Sequence, residues 1–268
     1  MLECVINISE GRRLDAIEKI RSQIGHDVLD THSDYHHHRS GFTLATINAA
    51  RQLAELSAAQ FDLRQHVGVH PRIGIIDVVP FVPLENSTIE QAVQARNEFA
   101  EFAASELKIP SFVYGPERDL PEIRKRAFID LIPDFGPHQA HPTAGAICVG
   151  ARQVLVAYNI WLKNSTIEDG RRIAREIRSP QVRTLGLQLG SEIQVSMNLI
   201  SPDEAGPDFV FDEVAKRADI SRAELVGLVP ARVLTQISKS RWGELDLSKE
   251  KTIEWCLAAR NRALQNLD

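Results

Sequence analysis

Residues 73–84 read Ile73-Gly74-Ile75-Ile76-Asp77-Val78-Val79-Pro80-Phe81-Val82-Pro83-Leu84, the strongest β-branched run in the chain. Such a run predicts a strand. Proline has no N–H for a ladder, so Pro80 and Pro83 place its far end at a sheet edge or leaving the sheet. Upstream, residues 48–62 are alanine-rich and amphipathic, a helix, and Arg39 to Ile47 predict a strand. Residues 27–31 predict another strand. Leu14, Ile17, Ile20 and Ile24 recur at helical spacing within residues 12–24. Leu2 to Ile8 form an apolar strand that Ser9 to Gly11 interrupt. The strand at 73–84 therefore closes a β-α-β-β-α-β order, the split βαβ arrangement of ferredoxin-like folds.

Downstream, a helix at 88–107, a strand at 110–114 and a short helix near 120–127 extend this unit. Residues 128–145 read as a long loop with Pro133, Gly136, Pro137, Pro142 and Gly145. The second half repeats the order: strand 153–162, helix 166–178, strands 182–188 and 192–200, helix 208–218 and strand 223–229. Ser165 is the expected N-cap, with Glu168 completing a capping box. Helices at 231–238 and 249–265 end the chain. Val5-Ile6-Asn7-Ile8 and Ala157-Tyr158-Asn159-Ile160 occupy the matching first strands. The expected fold class is α+β: two duplicated ferredoxin-like (βαββαβ) subdomains, 1–150 and 151–268. Each sheet has one face covered by its own helices and must bury the other elsewhere, which predicts a ligand groove between the two.

The chain has 268 residues and a net charge of −5, which argues against a sequence-independent nucleic-acid binder. It has no apolar run long enough to span a membrane and no secretory signal at its start. Cys4, Cys148 and Cys256 are odd in number and lack a CxxC pair, which fits core packing in a reducing cytosol. No dinucleotide fingerprint, P-loop or GxSxG elbow is present. The nine histidines all lie at or before His141. Histidine titrates nearest neutrality, so proton-transfer chemistry is expected in the N-terminal half.

The strongest local pattern is Asp62-Leu63-Arg64-Gln65-His66-Val67-Gly68-Val69-His70-Pro71-Arg72-Ile73-Gly74. Pro71 biases His70 toward extended backbone. Two readings fit His70: a general base held at the mouth of a strand, or a structural histidine bonded to a carbonyl. His36-His37-His38 likewise fits either a metal site or a solvated, substrate-facing loop. No cysteine or acidic partner is placed beside it, so no metal is assigned.

The ordered set of motifs resembles the formiminotransferase (glutamate formimidoyltransferase) family, including the N-terminal part of formimidoyltransferase-cyclodeaminase. It comprises Glu3-Cys4-Val5, Asn7, Ser9-Glu10-Gly11, His70-Pro71-Arg72, Gly74, Asp77-Val78 and Pro80-Phe81. Tyr114-Gly115, Pro133 to Pro137, Gly145-Ala146, Gly150-Ala151-Arg152 and Leu225 to Pro230 follow. The resemblance spans essentially the whole chain and leaves no room for a cyclodeaminase domain. It implies transfer of a formimino group from N-formimino-L-glutamate to N5 of the co-substrate tetrahydrofolate, a step of histidine degradation and one-carbon metabolism. It places the catalytic histidine at His70. It also places folate contacts at Gly136, Pro137, His138, Gln139, Ala140, His141, Pro142, Thr143, Ala144 and Gly145. Asp30 through Arg39 match a further family region. His32, His38, Arg39, Arg72 and Asp77 are the substrate-binding candidates. Arg39 or Arg72 would pair with substrate carboxylates, and Asp30, Asp34 or Asp77 with the amidine cation. Arg72 fits a structural ion pair equally well. The resemblance further implies a cytoplasmic homodimer with no nucleic-acid or membrane partner.

Five positions depart from the family's better-known members, two of them His138 and His141 in the folate loop, where those members have other residues. Val67 and Val69 stand where lysine and glutamate are usual, and His38 stands where asparagine precedes the arginine. The chain thus resembles a divergent branch with an altered electrostatic setting around the base. Two further readings stay open: another one-carbon folate reaction (formyl transfer or 5-formyltetrahydrofolate cyclisation), or a non-catalytic folate or anionic-metabolite binding protein.

Overall fold

The computed structural model describes residues 1–68 and 71–266. It has mixed α and β content arranged as two compact units, Met1–Gln153 and Val154–Asp268. The first unit begins β1 (Leu2–Ile8), α1 (Leu14–Ile24), β2 (Val28–Asp34), β3 (Arg39–Leu44), α2 (Ile47–Gln60) and β4 (Ile76–Pro83). It continues with α3 (Ile89–Ser105), β5 (Ser111–Tyr114), α4 (Leu120–Arg126) and β6 (Ile147–Ala151). The sheet order is β2-β3-β1-β4-β6-β5. The first four strands are antiparallel neighbours, whereas β4–β6 and β5–β6 run parallel.

Alternation along the strands sorts the two faces. Cys4, Ile6, Ile8, Phe42, Leu44, Val79 and Phe81 join Leu53, Ala95 and Phe99 of the helices in one core. On the opposite face, Val78, Phe112 and Cys148 pack with Ile123 of α4. The β4-β6-β5 part of the sheet is thus covered on both sides. Toward β1 and β3 that same face carries Asn7 and Arg39.

Two expectations about this unit need correcting. Strand β6 was not anticipated; its five residues, Ile-Cys-Val-Gly-Ala, are short and small, and they form a strand because two flanking strands bury them completely. Strand β4 is interior rather than an edge. Pro80 sits opposite Gly150 in the parallel pairing, and the ladder to β1 skips Val79 and Pro80, where proline has no N–H to give. The edge expectation survives only at the last residues. Pairing with β6 stops at Phe81, so Val82 and Pro83 have β1 alone as a neighbour.

The second unit runs β7 (Val156–Leu162), α5 (Ile167–Ile177), β8 (Val182–Leu189), β9 (Glu192–Leu199), α6 (Pro207–Ala215) and β10 (Ile220–Val226). Its antiparallel sheet has the order β10-β7-β9-β8, the arrangement of the first four strands of the first unit. Helices α7 (Ala231–Thr235) and α8 (Ile253–Gln265) complete it. Its core is separate and is built on Tyr158, Ile160, Val195, Met197, Val210 and Leu225. The β8–β9 hairpin closes through Gly190 (φ +63°) and Ser191, with Leu189 paired to Glu192. The cap of α5 lies one residue beyond the expected Ser165. Thr166 accepts from the Asp169 amide, and Asp169 accepts from the Thr166 amide in return. Ser165 instead donates to the Lys163 carbonyl at 2.8 Å.

Candidate functional site

His70 and Val69 lie outside the described residues, but both flanks of that position are defined. On the N-terminal side, Asp62 caps a short 3-10 turn at Leu63–Gln65. His66 follows, nine-tenths buried, with its Nε2 2.9 Å from the His38 carbonyl oxygen. On the C-terminal side, the Arg72 guanidinium folds back and donates to the carbonyls of His66 and Gly68, both at 3.0 Å. A single fork thus braces the segment that carries the candidate base.

The loop expected to contact folate packs along this same segment. Leu63 N–H donates to Thr143 O at 2.7 Å, Ile75 N–H to Ala144 O at 2.9 Å, and Ala146 N–H to Ile73 O at 2.9 Å. Its foot, Ala144 and Gly145, is buried, while Gly136 to Ala140 are exposed. Gly145 has φ +74°, and a Cβ there would lie 2.2 Å from the Ile73 carbonyl, so only glycine allows the approach. His141 accepts from the Ala144 amide at 3.1 Å through Nδ1 and pairs its backbone with Gly145. That side chain folds the loop on itself, and His138 stays on the exposed tip.

A charged cluster lies on the sheet face opposite the main helices. Asp77 is fully buried. It accepts from Arg39 at 2.8 Å, from Arg124 of α4 at 2.7 Å, and from the Ile73 amide at 2.9 Å. Arg39 also donates Nε to Asn7 Oδ1 at 3.0 Å. Burial pushes the Asp77 carboxyl up, but the Arg124 and Arg39 guanidiniums outweigh it and hold it below the usual range. Two guanidiniums thus share this one carboxylate. Nearby, burial pushes the Cys148 thiol up to about 12, with the Asp77 charge adding to it, so the thiol is a packing group.

The segment Asp30 to Arg39 divides. His32 pairs across the ladder with Gly41, and Asp34 accepts from the His37 amide at 2.7 Å. His36 makes an edge contact with Tyr35 at 5.9 Å. His38 adopts φ +52° and turns into the protein, with Nε2 3.0 Å from Glu10 Oε1. The triplet therefore does not converge. Among the described residues, no group of three or more histidine, cysteine or acidic side chains is arranged to hold a metal ion.

Sequence reasoning named Arg39, Arg72, Asp77, His32 and His38 but missed Asn7 and Arg124 as parts of the cluster and Glu10 as the partner of His38. Glu10 and Asn7 lie in motifs that were noted, without a role. Arg124 carries no local signal, because it reaches Asp77 across 47 residues from what reads as a basic surface helix.

With this geometry in place, the comparisons are decisive. A family model described as the formiminotransferase domain, N-terminal subdomain, matches residues 1–152. The chain belongs to the formiminotransferase family. A glutamate formimidoyltransferase of Streptococcus pyogenes serotype M1 is 33% identical over 275 residues, covering 89% of this chain and 92% of that protein. One from Thermoplasma acidophilum is 34% identical, covering 89% and 91%. A formimidoyltransferase-cyclodeaminase of Dictyostelium discoideum is 32% identical, and this formiminotransferase chain corresponds to 51% of its length. The model match covers the whole of the first unit up to Arg152, where the braced 66–72 segment and the Asp77 cluster reside.

Proposed function

We propose that this protein transfers a formimino group from N-formimino-L-glutamate to N5 of tetrahydrofolate and releases glutamate, with His70 as general base. One observation carries the reading beyond the names of the relatives. The 136–145 loop is hydrogen-bonded to both sides of the 66–72 segment, at Leu63 and at Ile73–Ile75. Folate held by that loop would have its ring beside the candidate base.

The chemistry follows. N5 attacks the amidine carbon and forms a tetrahedral adduct, and the proton lost from N5 passes to the His70 imidazole. The imidazolium returns a proton to the glutamate nitrogen as its bond to carbon breaks. The guanidinium forks of Arg39 and Arg124 suit a dicarboxylate donor. Arg39 is assigned to the donor's carboxylates, with Asn7 and Asp77 fixing its plane, and His32 to the same pocket. Arg72 and Asp77 are held by protein partners and act from behind it. Residues 151–268 are read as the C-terminal formiminotransferase subdomain, and the working molecule as a cytoplasmic homodimer.

The test is an assay of glutamate release and 5-formiminotetrahydrofolate formation, with wild type and His70→Ala. The expected result is turnover in the wild type, lowered about 10²–10⁴-fold in the variant, with folate binding retained by calorimetry. Unchanged turnover in a folded His70→Ala protein would remove His70 as base. ATP-dependent consumption of 5-formyltetrahydrofolate, or tight folate binding without turnover of any one-carbon donor, would replace the reaction itself.

A further inference from the structure

Glu10, His38 and His66 form a buried column against the 66–72 segment, and the transfer chemistry above does not use it. Glu10 is 3% exposed. Its Oε1 accepts the amides of Gly11, Arg12 and Arg13 at 2.9–3.2 Å, and its Oε2 accepts Arg13 Nε at 2.7 Å. His38 is the next layer, bonded to Glu10 through Nε2. His66 is the third, with its ring centroid 4.1 Å from that of His38 and its own Nε2 on the His38 carbonyl. Gly68 closes over the column. A Cβ there would sit 2.7 Å from His66 Cε1 and 3.0 Å from His38 Cβ.

The acceptors define the protonation state. A carboxylate faces Nε2 of His38 and a carbonyl faces Nε2 of His66, so each ring carries its proton there. Both Nδ1 atoms are buried and without a hydrogen-bond partner among the described residues. A second proton on either ring would create a buried N–H with no acceptor among the described residues, which is costly. It would also place a cation 4.1 Å from the other ring. The charged groups that face the column add to this. Arg12 and Arg13 come from the β1–α1 junction and Arg72 from the loop, while the Glu10 charge is already matched by Arg13.

We propose that Glu10, His38 and His66 are positioning residues that hold the 66–72 segment, and through it His70, only while both imidazoles are neutral. The inference rests on the transfer reaction above for its kinetic consequence, but not for its structural one. It also gives His38 a task other than touching substrate. Protonation of the column on the acid side would release His66 from His38, and with it the carbonyl that Arg72 grips.

The test has two arms. In the first, the imidazoles of the intact protein are followed by NMR from pH 8 to pH 5. Expected are neutral Nε2–H tautomers at His38 and His66 that persist below the ordinary histidine range. Their eventual titration should move the amides of Gly68 and Arg72. Titration as solvent-exposed imidazoles, or with those amides unmoved, overturns the proposal. In the second, pH profiles of kcat are compared for wild type, His66→Ala and His66→Gln. His66→Ala should lower kcat at pH 7.5 at least tenfold with the folate Kd unchanged. His66→Gln keeps a donor for the His38 carbonyl, so it should regain most of that loss and make the acid fall-off shallower by one proton. Wild-type kcat in His66→Ala, or the same acid steepness in His66→Gln, overturns it. Absence of formimino transfer in the wild type would remove the proposed reaction, and the NMR arm would then decide the column by itself.

Discussion

Asp77 illustrates how a single residue can be named from sequence while its partners are set only by the fold. It was one of three candidates, with Asp30 and Asp34, to pair with the substrate's amidine cation, and in the fold its acceptor capacity is taken up by Arg39, Arg124 and the Ile73 amide. Removing its charge takes from the Arg39 and Arg124 guanidiniums the carboxylate that they share. Asp77→Asn is therefore expected to lower the unfolding free energy by about 3–5 kcal/mol, the range for breaking a buried pair. Urea denaturation would measure it. The same variant should raise KM for the formimino donor more than it lowers kcat, since Arg39 loses the group that orients it. An unchanged urea midpoint would show that Arg39 and Arg124 are held by other means.

Local chemistry placed the elements well and their ends less well. α1 was expected from residue 12 but starts at Leu14, because the Glu10 carboxylate takes the amides of Gly11, Arg12 and Arg13 first. At α5, both Ser165 and Thr166 have capping chemistry. Thr166 has the extended backbone (φ −94°, ψ 165°) that aims its hydroxyl at the Asp169 amide. Thr166→Ala should cost about 0.5–2 kcal/mol of stability, and Ser165→Ala about 0.5 kcal/mol or less. Equal losses on thermal denaturation would reject this assignment of the cap. β6 escaped notice because a five-residue run of small apolar side chains has no period of its own; burial between β4 and β5 makes it a strand.

At the scale of the molecule, two separate cores stabilise two units, and the buried ionisable groups tie stability of the first to pH. Burial lowers the His38 pKa although Glu10 pulls it upward, and burial with Arg72 lowers that of His66. Glu10 is held at about 2: burial raises it, but the Arg12 and Arg13 hydrogen bonds and the nearby His38 prevail. All of these groups, with Asp77, bind fewer protons folded than unfolded, so stability must fall as pH falls. The histidine contribution is complete above about 6.5, the unperturbed value, and is lost below it toward the lowered folded values. The carboxylate contribution is complete above about 4 and is lost below that. Urea midpoints at pH 7.5, 5.5 and 4 should decline in that order. In a His38→Gln/His66→Gln protein the first step should shrink. An undiminished first step would assign it to other groups.

The periodicity of residues 2–84 and its repeat after residue 153 were enough to establish α+β content and the β-α-β-β-α-β order, because each element's apolar spacing is a local property. Ordered motifs likewise sufficed for the family and for naming Arg39, Arg72 and Asp77. The tertiary structure decided the rest. It put Pro80 in an interior strand where the ladder skips it, brought Arg124 to Asp77 across 47 residues, and stacked His66 on His38. These depend on which surfaces meet when the chain closes. No periodicity encodes a contact between groups whose separation in sequence is unrelated to any helical or strand repeat. The histidine abundance of the N-terminal half was plain in the sequence, but only packing distinguished a column buried against Glu10 from exposed histidines such as His36 and His138.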